Sequence, residues 1–300
     1  MNLEQQIVVS YTRSVLNTVV NVLQEMRLKQ WTKNLLVFAS AIFAGEILNP
    51  GILLNAVIAF LSFSFMASTI YIINDIVDVE KDRLHPEKCS RPIAAGTISV
   101  PLAVCVGFFI FCIALTCALF LNYYVLIAVL VYFILNLSYS LYLKHVVIVD
   151  VMIIAAGFVL RAVTGALAVG GMLTSWFILC TLGLSLFLAL CKRRHELVLL
   201  KNNSVSQRKV LSFYSIELID QLMSIITAVL IMFYSMYASS ENPMMMLTIP
   251  FVLYGVFRYY YLIHMKDAGG KPEEILINDR HILLTVLLFS ISVVGIIKFL

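Results

Sequence analysis

Asp75, Asp78 and Asp82 stand at i, i+3 and i+7 in the stretch NDIVDVEKDRLHPEKCSRPIAAG, residues 74–96. On a helix this spacing gathers three carboxylates on one face over about two turns. Asn74 adds an amide beside them, and His85, Lys88 and Arg91 follow. Such a set suits Mg2+ carrying phosphates, because Mg2+ keeps several waters and takes one or two carboxylates plus substrate phosphate oxygens. The neighbouring cations would neutralise the remaining phosphate charge. A solvated acidic helix end has the same composition, so the reading depends on what surrounds it.

A second constellation is NLSYSLYLKHVVIVDVMIIAAGFVLRAVTGA, residues 136–166. Tyr139, Tyr142 and Lys144 come at the end of one apolar run, and Asp150 lies about a turn into the next. An intramembrane carboxylate is costly and therefore a functional candidate. The structural alternative is an ion pair with Lys144 or Lys33 that only orients helices. Two polar clusters at the same membrane face could converge over one cavity. Arg161 lies eleven residues beyond Asp150, roughly 16 Å deeper on an unbroken helix. Structural hydrogen bonding to carbonyls is the expectation there, and a site role stays open because Gly157 could bend the path. A third set is CKRRHEL, residues 191–197, whose Arg193 and Arg194 suit either a phosphate clamp or a membrane anchor. Trp31 and Lys33 in QWTKN carry the same ambiguity. The glycine-turned, charged segment 264–281 reads as a lid or a connector.

The elements that must position these residues follow from composition. The chain has 300 residues, 61% hydrophobic and only 13% charged, against about a quarter charged in soluble domains. A mean hydropathy of +0.97 agrees. Too little polar surface exists for a water-soluble globule, and disorder is excluded because its signature is low hydrophobicity. A helix needs roughly 20 apolar residues to cross a bilayer, and nine candidate spans are expected: 33–48, 52–73, 98–120, 122–141, 146–169, 174–191, 212–238, 244–263 and 281–299. The runs lack the dyad alternation of an outer-membrane barrel. The fold expected is all-α and polytopic, with a single helical domain over 33–300.

Eighteen of the 21 Lys and Arg residues fall in the N-terminal segment or in alternate loops, and the intervening loops carry none. The positive-inside rule puts the N-terminus and the acidic cluster in the cytoplasm and the C-terminus outside. Val8, Tyr11, Val15, Val19, Val22 and Met26 follow helical spacing, so residues 1–32 are expected as an amphipathic segment on the inner face or against the bundle. The six cysteines form no C-x-x-C pair and receive no metal or redox role. No Walker A string, zinc spacing or G-x-S-x-G elbow appears. Nucleic acid is not expected as a partner, while a homo-oligomer stays open.

The stretch 74–96 resembles the first Asp-rich motif of the UbiA superfamily of intramembrane prenyltransferases, and the likeness runs from about residue 27 to the C-terminus. RLKQWTKN, YSLYLKHVVIVDVMIIAAGFVLRAVTGA, SWF followed by CKRRHEL, and GGKPEEILINDR look most like its decaprenyl-phosphate phosphoribosyltransferase branch. The second motif departs from the D-x-x-x-D of aromatic prenyltransferases, offering YSLYLK and one Asp instead. The resemblance implies nine helices around a cytoplasm-facing cavity in a bacterial inner membrane. It also implies transfer of 5-phosphoribose from phosphoribosyl pyrophosphate to a polyprenyl phosphate, which in some bacteria feeds arabinose donors for envelope polysaccharides. By the same resemblance Asp75 and Asp78 with Asn74, joined by Asp82, would hold Mg2+ on the donor. Lys88, Arg91, Tyr139 and Lys144 would bind phosphate, Asp150 would serve the second half of the site, and Lys33, Arg193 and Arg194 are further phosphate candidates. The competing expectations are an aromatic prenyltransferase of the same superfamily and, from another class, a transporter.

Overall fold

The computed structural model describes residues 17–86, 88–171, 173–202, 209–266, 270, 275 and 278–299. The expected apolar positions Val8, Tyr11 and Val15, and half of the segment 264–281, lie outside the described residues. Eight long helices carry the chain: α1 (Pro50–Val77), α2 (Val100–Leu121), α3 (Tyr123–Leu141), α4 (Val149–Val169), α5 (Ser175–Asn202), α6 (Ile216–Glu241), α7 (Ile249–Lys266) and α8 (Arg280–Phe299). The contacts divide the chain into two compact units. One holds residues up to Leu137 together with Leu160–Gly171; the other holds Ser138–Val159 and the chain from residue 172 onward. Helix α4 therefore contributes its first half to the second unit and its second half to the first.

In the first unit, α1 starts at Pro50, where a missing N–H costs nothing, and Asn49 caps it by accepting from the Gly51 N–H at 3.1 Å. Its neighbour α2 buries Ala103, Gly107, Ala114 and Ala118. These small residues admit the close helix approach that membrane bundles rely on, since lipid supplies little hydrophobic drive between helices. Ser62 Oγ adds an interhelical bond to the Ala114 carbonyl at 2.8 Å. On α2, Phe108, Phe109 and Phe120 point outward, as lipid-facing side chains do. At the junction of α2 and α3, the Asn122 amide donates to the Leu167 carbonyl at 2.9 Å.

The second unit packs α5, α6, α7 and α8 around Phe187, Leu190, Tyr214, Ile219, Met223, Tyr259, Leu262 and Ile282. Ser215 caps α6 by accepting from the Leu218 N–H. Asp279 caps α8 through the Ile282 N–H and takes Arg258 Nη2 at 2.8 Å.

Seven helices are long and apolar enough to cross a membrane, from α1 to α7. The last, α8, is a shorter apolar helix over Arg280–Ile296. The expected first span, 33–48, takes another form: a 3-10 run, Leu28–Phe38, leads into a five-residue α-helix, Ala39–Phe43. Gly45, at φ 71°, stops it. The Glu46 N–H reaches the Ala41 carbonyl and the Gly45 N–H the Ile42 carbonyl, both at 3.0 Å. This pairing is a Schellman stop, which needs the left-handed residue that glycine supplies. Nine membrane-length helices are therefore not found among the described residues.

Candidate active site

In the first unit, α1 ends at Val77 and Asp78 forms a junction (φ −95°, ψ 10°) to the short helix Val79–Arg83. The break changes how the acidic residues are presented. Asp75 and Asp82 are both buried and share one guanidinium nitrogen: Arg91 Nη1 donates to Asp75 Oδ1 at 2.8 Å and to Asp82 Oδ2 at 2.6 Å. Arg27 Nη2 lies 2.6 Å from each Asp75 oxygen, and Lys88 Nζ is 3.9 Å from Asp82. Asp78 instead pairs with Lys81 at 3.3 Å. Asn74, half-buried, gives its carbonyl to the Asp78 N–H. Asp75 and Asp82, two turns apart, thus share Arg91, and Asp78 at the junction bonds Lys81.

Glu25 adds an acid from outside the motif. It is buried, accepts from the Ile93 N–H at 2.9 Å, and lies beside Asp75. Burial, reinforced by the Asp75 charge, pushes its carboxyl up to about 7 against the opposing Ile93 hydrogen bond. Arg27 also spreads over the Tyr71 ring, 4.8 Å from its centroid. Three cations, Arg27, Arg91 and Lys88, thus gather around Asp75 and Asp82, side chains of the kind that take phosphate oxygens.

The segment carrying Arg27 is tied to α1 and α4. Trp31 Nε1 donates to Ser68 Oγ at 3.0 Å and Asn34 Nδ2 to Ser64 Oγ at 2.9 Å. Arg161, on α4, donates Nε to Asn34 Oδ1 at 2.7 Å and Nη2 to Tyr132 Oη at 3.1 Å. The acceptors in these bonds are a side-chain amide carbonyl and a phenol hydroxyl. Lys33 sits half-buried in the same segment.

The second unit has its own charged centre. Asp150, fully buried in the first turn of α4, accepts Arg193 Nε at 2.7 Å and the Tyr214 hydroxyl at 2.8 Å. Arg193, 1% exposed, also reaches Glu196 at 2.7 Å and Tyr139 Oη at 3.3 Å. Asp150 is thus ion-paired with Arg193, where the structural alternative named Lys144 or Lys33. Tyr214 additionally accepts the Ile148 N–H at 2.6 Å, and Ile148 has φ 71°. A β-branched residue there is strained and persists only where its surroundings hold it. Burial and the Asp150 carboxylate keep the Tyr214 hydroxyl protonated, its pKa pushed up to about 12. Arg194 turns to Asp220 at 2.7 Å, Lys144 lies half-buried in the 3-10 turn Leu143–His145, and Tyr142 is mostly exposed.

A model of the UbiA prenyltransferase family matches residues 35–275. The chain belongs to the UbiA prenyltransferase family. Relatives named decaprenyl-phosphate phosphoribosyltransferase include one from Corynebacterium glutamicum, 33% identical over 86% of this chain and 81% of its own length. Another, from Mycobacterium tuberculosis, is 30% identical over 96% of this chain and 98% of its own. Among solved structures, a UbiA homolog from Archaeoglobus fulgidus bound to DMAPP and Mg2+ superimposes with a TM-score of 0.72 at 22% identity, covering 93% of this chain and all of that one. At that identity the likeness shows the fold, which is the membrane-embedded UbiA fold.

For this UbiA chain, the donor set fits a divalent cation of the Mg2+ type. Asp75 and Asp82 already converge on one cationic nitrogen, and hard carboxylate oxygens are what Mg2+ takes. Among the described residues no three acidic, His or Cys side chains come together as a metal cage. Reading the sequence alone missed Arg27, Glu25, Tyr214 and Glu196. Arg27 lies 48 residues from Asp75, and only its place in RLKQWTKN hinted at a role.

Proposed function

We propose that this multi-pass membrane protein transfers 5-phosphoribose from phosphoribosyl pyrophosphate to a polyprenyl phosphate, releasing pyrophosphate, with Mg2+ as cofactor. The observation that carries the reading is the buried Asp75 and Asp82 pair set among Arg27, Arg91 and Lys88, in a chain similar over most of its length to decaprenyl-phosphate phosphoribosyltransferases.

In this reading Asp75 and Asp82, with Asn74 and Asp78 nearby, hold the metal. When bound, Mg2+ offsets charge growing on the departing pyrophosphate. Arg91, Lys88 and Arg27 take its phosphate oxygens. The bond from ribose C1 to the pyrophosphate oxygen breaks, and its electron pair leaves with pyrophosphate. A lone pair on the lipid phosphate forms the new C1–O bond from the opposite face, inverting C1. A phosphate anion needs no general base, so positioning and charge stabilisation suffice. Asp150 holds Arg193, and Tyr139, Tyr142, Lys144, Arg194 and Lys33 are the remaining candidates for phosphate contact. The charge distribution supports a cytoplasmic mouth in a bacterial inner membrane, with the N-terminus inside and the C-terminus outside.

The test gives purified protein Mg2+, polyprenyl phosphate and labelled phosphoribosyl pyrophosphate. Label is expected in the lipid fraction, with the mass of a phosphoribosyl adduct. D75A and D82A are each expected to lower turnover on the order of a hundredfold. Absence of labelled lipid, with prenylation of an aromatic acid from a polyprenyl pyrophosphate, would overturn the proposal in favour of the other family chemistry.

A further inference from the structure

We infer that Arg161 is a positioning residue: through Asn34 it braces the 3-10 segment Leu28–Phe38 and so holds Arg27 on Asp75. The inference deepens the function proposed above and rests on it for the kinetic consequence alone.

The brace is a continuous set of contacts within the first unit. Ser64, Ser68, Tyr71 and Asp75 follow at i, i+4, i+7 and i+11, so they share one face of α1. The incoming segment meets that face at each step. Asn34 donates to Ser64, Trp31 donates to Ser68, Ser68 donates to the Met26 carbonyl at 2.9 Å, and Arg27 covers Tyr71 and grips Asp75. From α4, Arg161 locks the far end by bonding the Asn34 oxygen, its guanidinium 5.2 Å from both the Phe63 and Tyr132 ring centroids. One turn further along α4, Gly165 lets the Val37 carbonyl approach: a Cβ there would lie 1.8 Å from that oxygen.

Two features show that the segment needs such fixing. Runs of 3-10 helix beyond three or four residues are uncommon because their hydrogen bonds are poorly aligned, yet this one has 11 residues. Arg27, at its head, has the left-handed backbone (φ 52°, ψ 52°) that a non-glycine residue adopts only under outside constraint. Arg161 supplies a rigid fork that a lysine cannot reproduce.

Trp31 sits inside the braced segment, and Trp176 is the only other tryptophan. A W176F background therefore leaves one optical reporter at the segment. In full-length detergent-solubilised protein, R161Q is expected to shift Trp31 emission to the red and to increase its quenching by acrylamide. N34L is expected to do the same, and the R161Q/N34L pair to add nothing further. With activity as the second readout, R161Q is expected to raise the KM for phosphoribosyl pyrophosphate about tenfold while the KM for the lipid phosphate stays put. R27Q would reproduce the donor effect without moving Trp31 as far.

If R161Q does not fold, N34L carries both readouts alone. An unchanged Trp31 spectrum in the folded variants overturns the brace. A shifted spectrum with an unchanged donor KM overturns its link to Arg27. The spectra need no substrate, so they stand even where wild-type protein transfers no phosphoribose, a result that would sink only the proposed function.

Discussion

Removing Arg193 should destabilise the protein more than removing Asp150, and removing both should cost less than removing Arg193 alone. The pair is almost fully enclosed, at 1% and 0% side-chain exposure, with 2.7 Å between Nε and Oδ2. Stripping one partner from a buried ion pair costs about 3–5 kcal/mol, chiefly because the other charge stays buried and uncompensated. In R193M, Asp150 keeps the Tyr214 hydroxyl as its one side-chain bond among the described residues, and Glu196 loses its bond to Arg193, so the full ~3–5 kcal/mol applies. In D150N, Glu196 still neutralises Arg193 and an amide oxygen can still accept from Tyr214, so the cost falls to about 2 kcal/mol. At about 2 °C per kcal/mol for a chain of this size, R193M should melt about 6–10 °C lower and D150N about 4 °C lower. The assay is thermal unfolding of detergent-solubilised variants at one fixed scan rate. The double variant D150N/R193M should recover part of the R193M loss, a coupling of the sign expected for residues in direct contact. Strictly additive losses would falsify the claim that these groups act as one buried pair.

Glu25 makes stability depend on pH in a direction that can be worked out. Its carboxyl titrates at about 7 in the fold against an ordinary value of 4.5. The folded chain therefore holds a proton that the unfolded chain releases first. The stabilisation is fully present below about 4.5 and is lost as pH rises through about 7. E25Q keeps an oxygen for the Ile93 N–H and removes the titration, so its melting temperature should vary less with pH than the wild type's across that window. At the α4 contact, G165A forces a methyl group onto the Val37 carbonyl. With backbone as the obstacle, the upper part of the 1–3 kcal/mol range for overpacking is expected, read as a melting point lower by about 4–6 °C.

The membrane architecture was legible because it is written in long apolar runs, and seven of these became membrane-length helices. The run 33–48 misled for a local reason. Hydropathy registers that its residues are apolar, but not that Gly45 ends the helix or that Asn34 ties it sideways to α1. Asp75 and Asp82 could be paired from spacing, since seven residues make nearly two turns. Asp78 could not be placed, because its position depends on where α1 breaks. Partners of Asp75 and Asp150 were harder still. Arg27 and Arg193 lie 48 and 43 residues away, and nothing local in a chain records which distant cation will be folded against a given carboxylate. Tyr214 gave no signal, being one tyrosine among 14.

Ile148 offers a different kind of consequence, one for engineering. Its left-handed backbone costs roughly 1–2 kcal/mol for an L-residue, and its side chain is 46% exposed, so little packing compensates. The Tyr214 hydroxyl holds the turn through the backbone N–H, a bond that any residue except proline could make. Asparagine tolerates this conformation far better than isoleucine. Position 148 is therefore a reserve of thermal robustness beside Asp150, open to substitution without touching a charged group. A version of the protein adapted to heat would be expected to draw on it early.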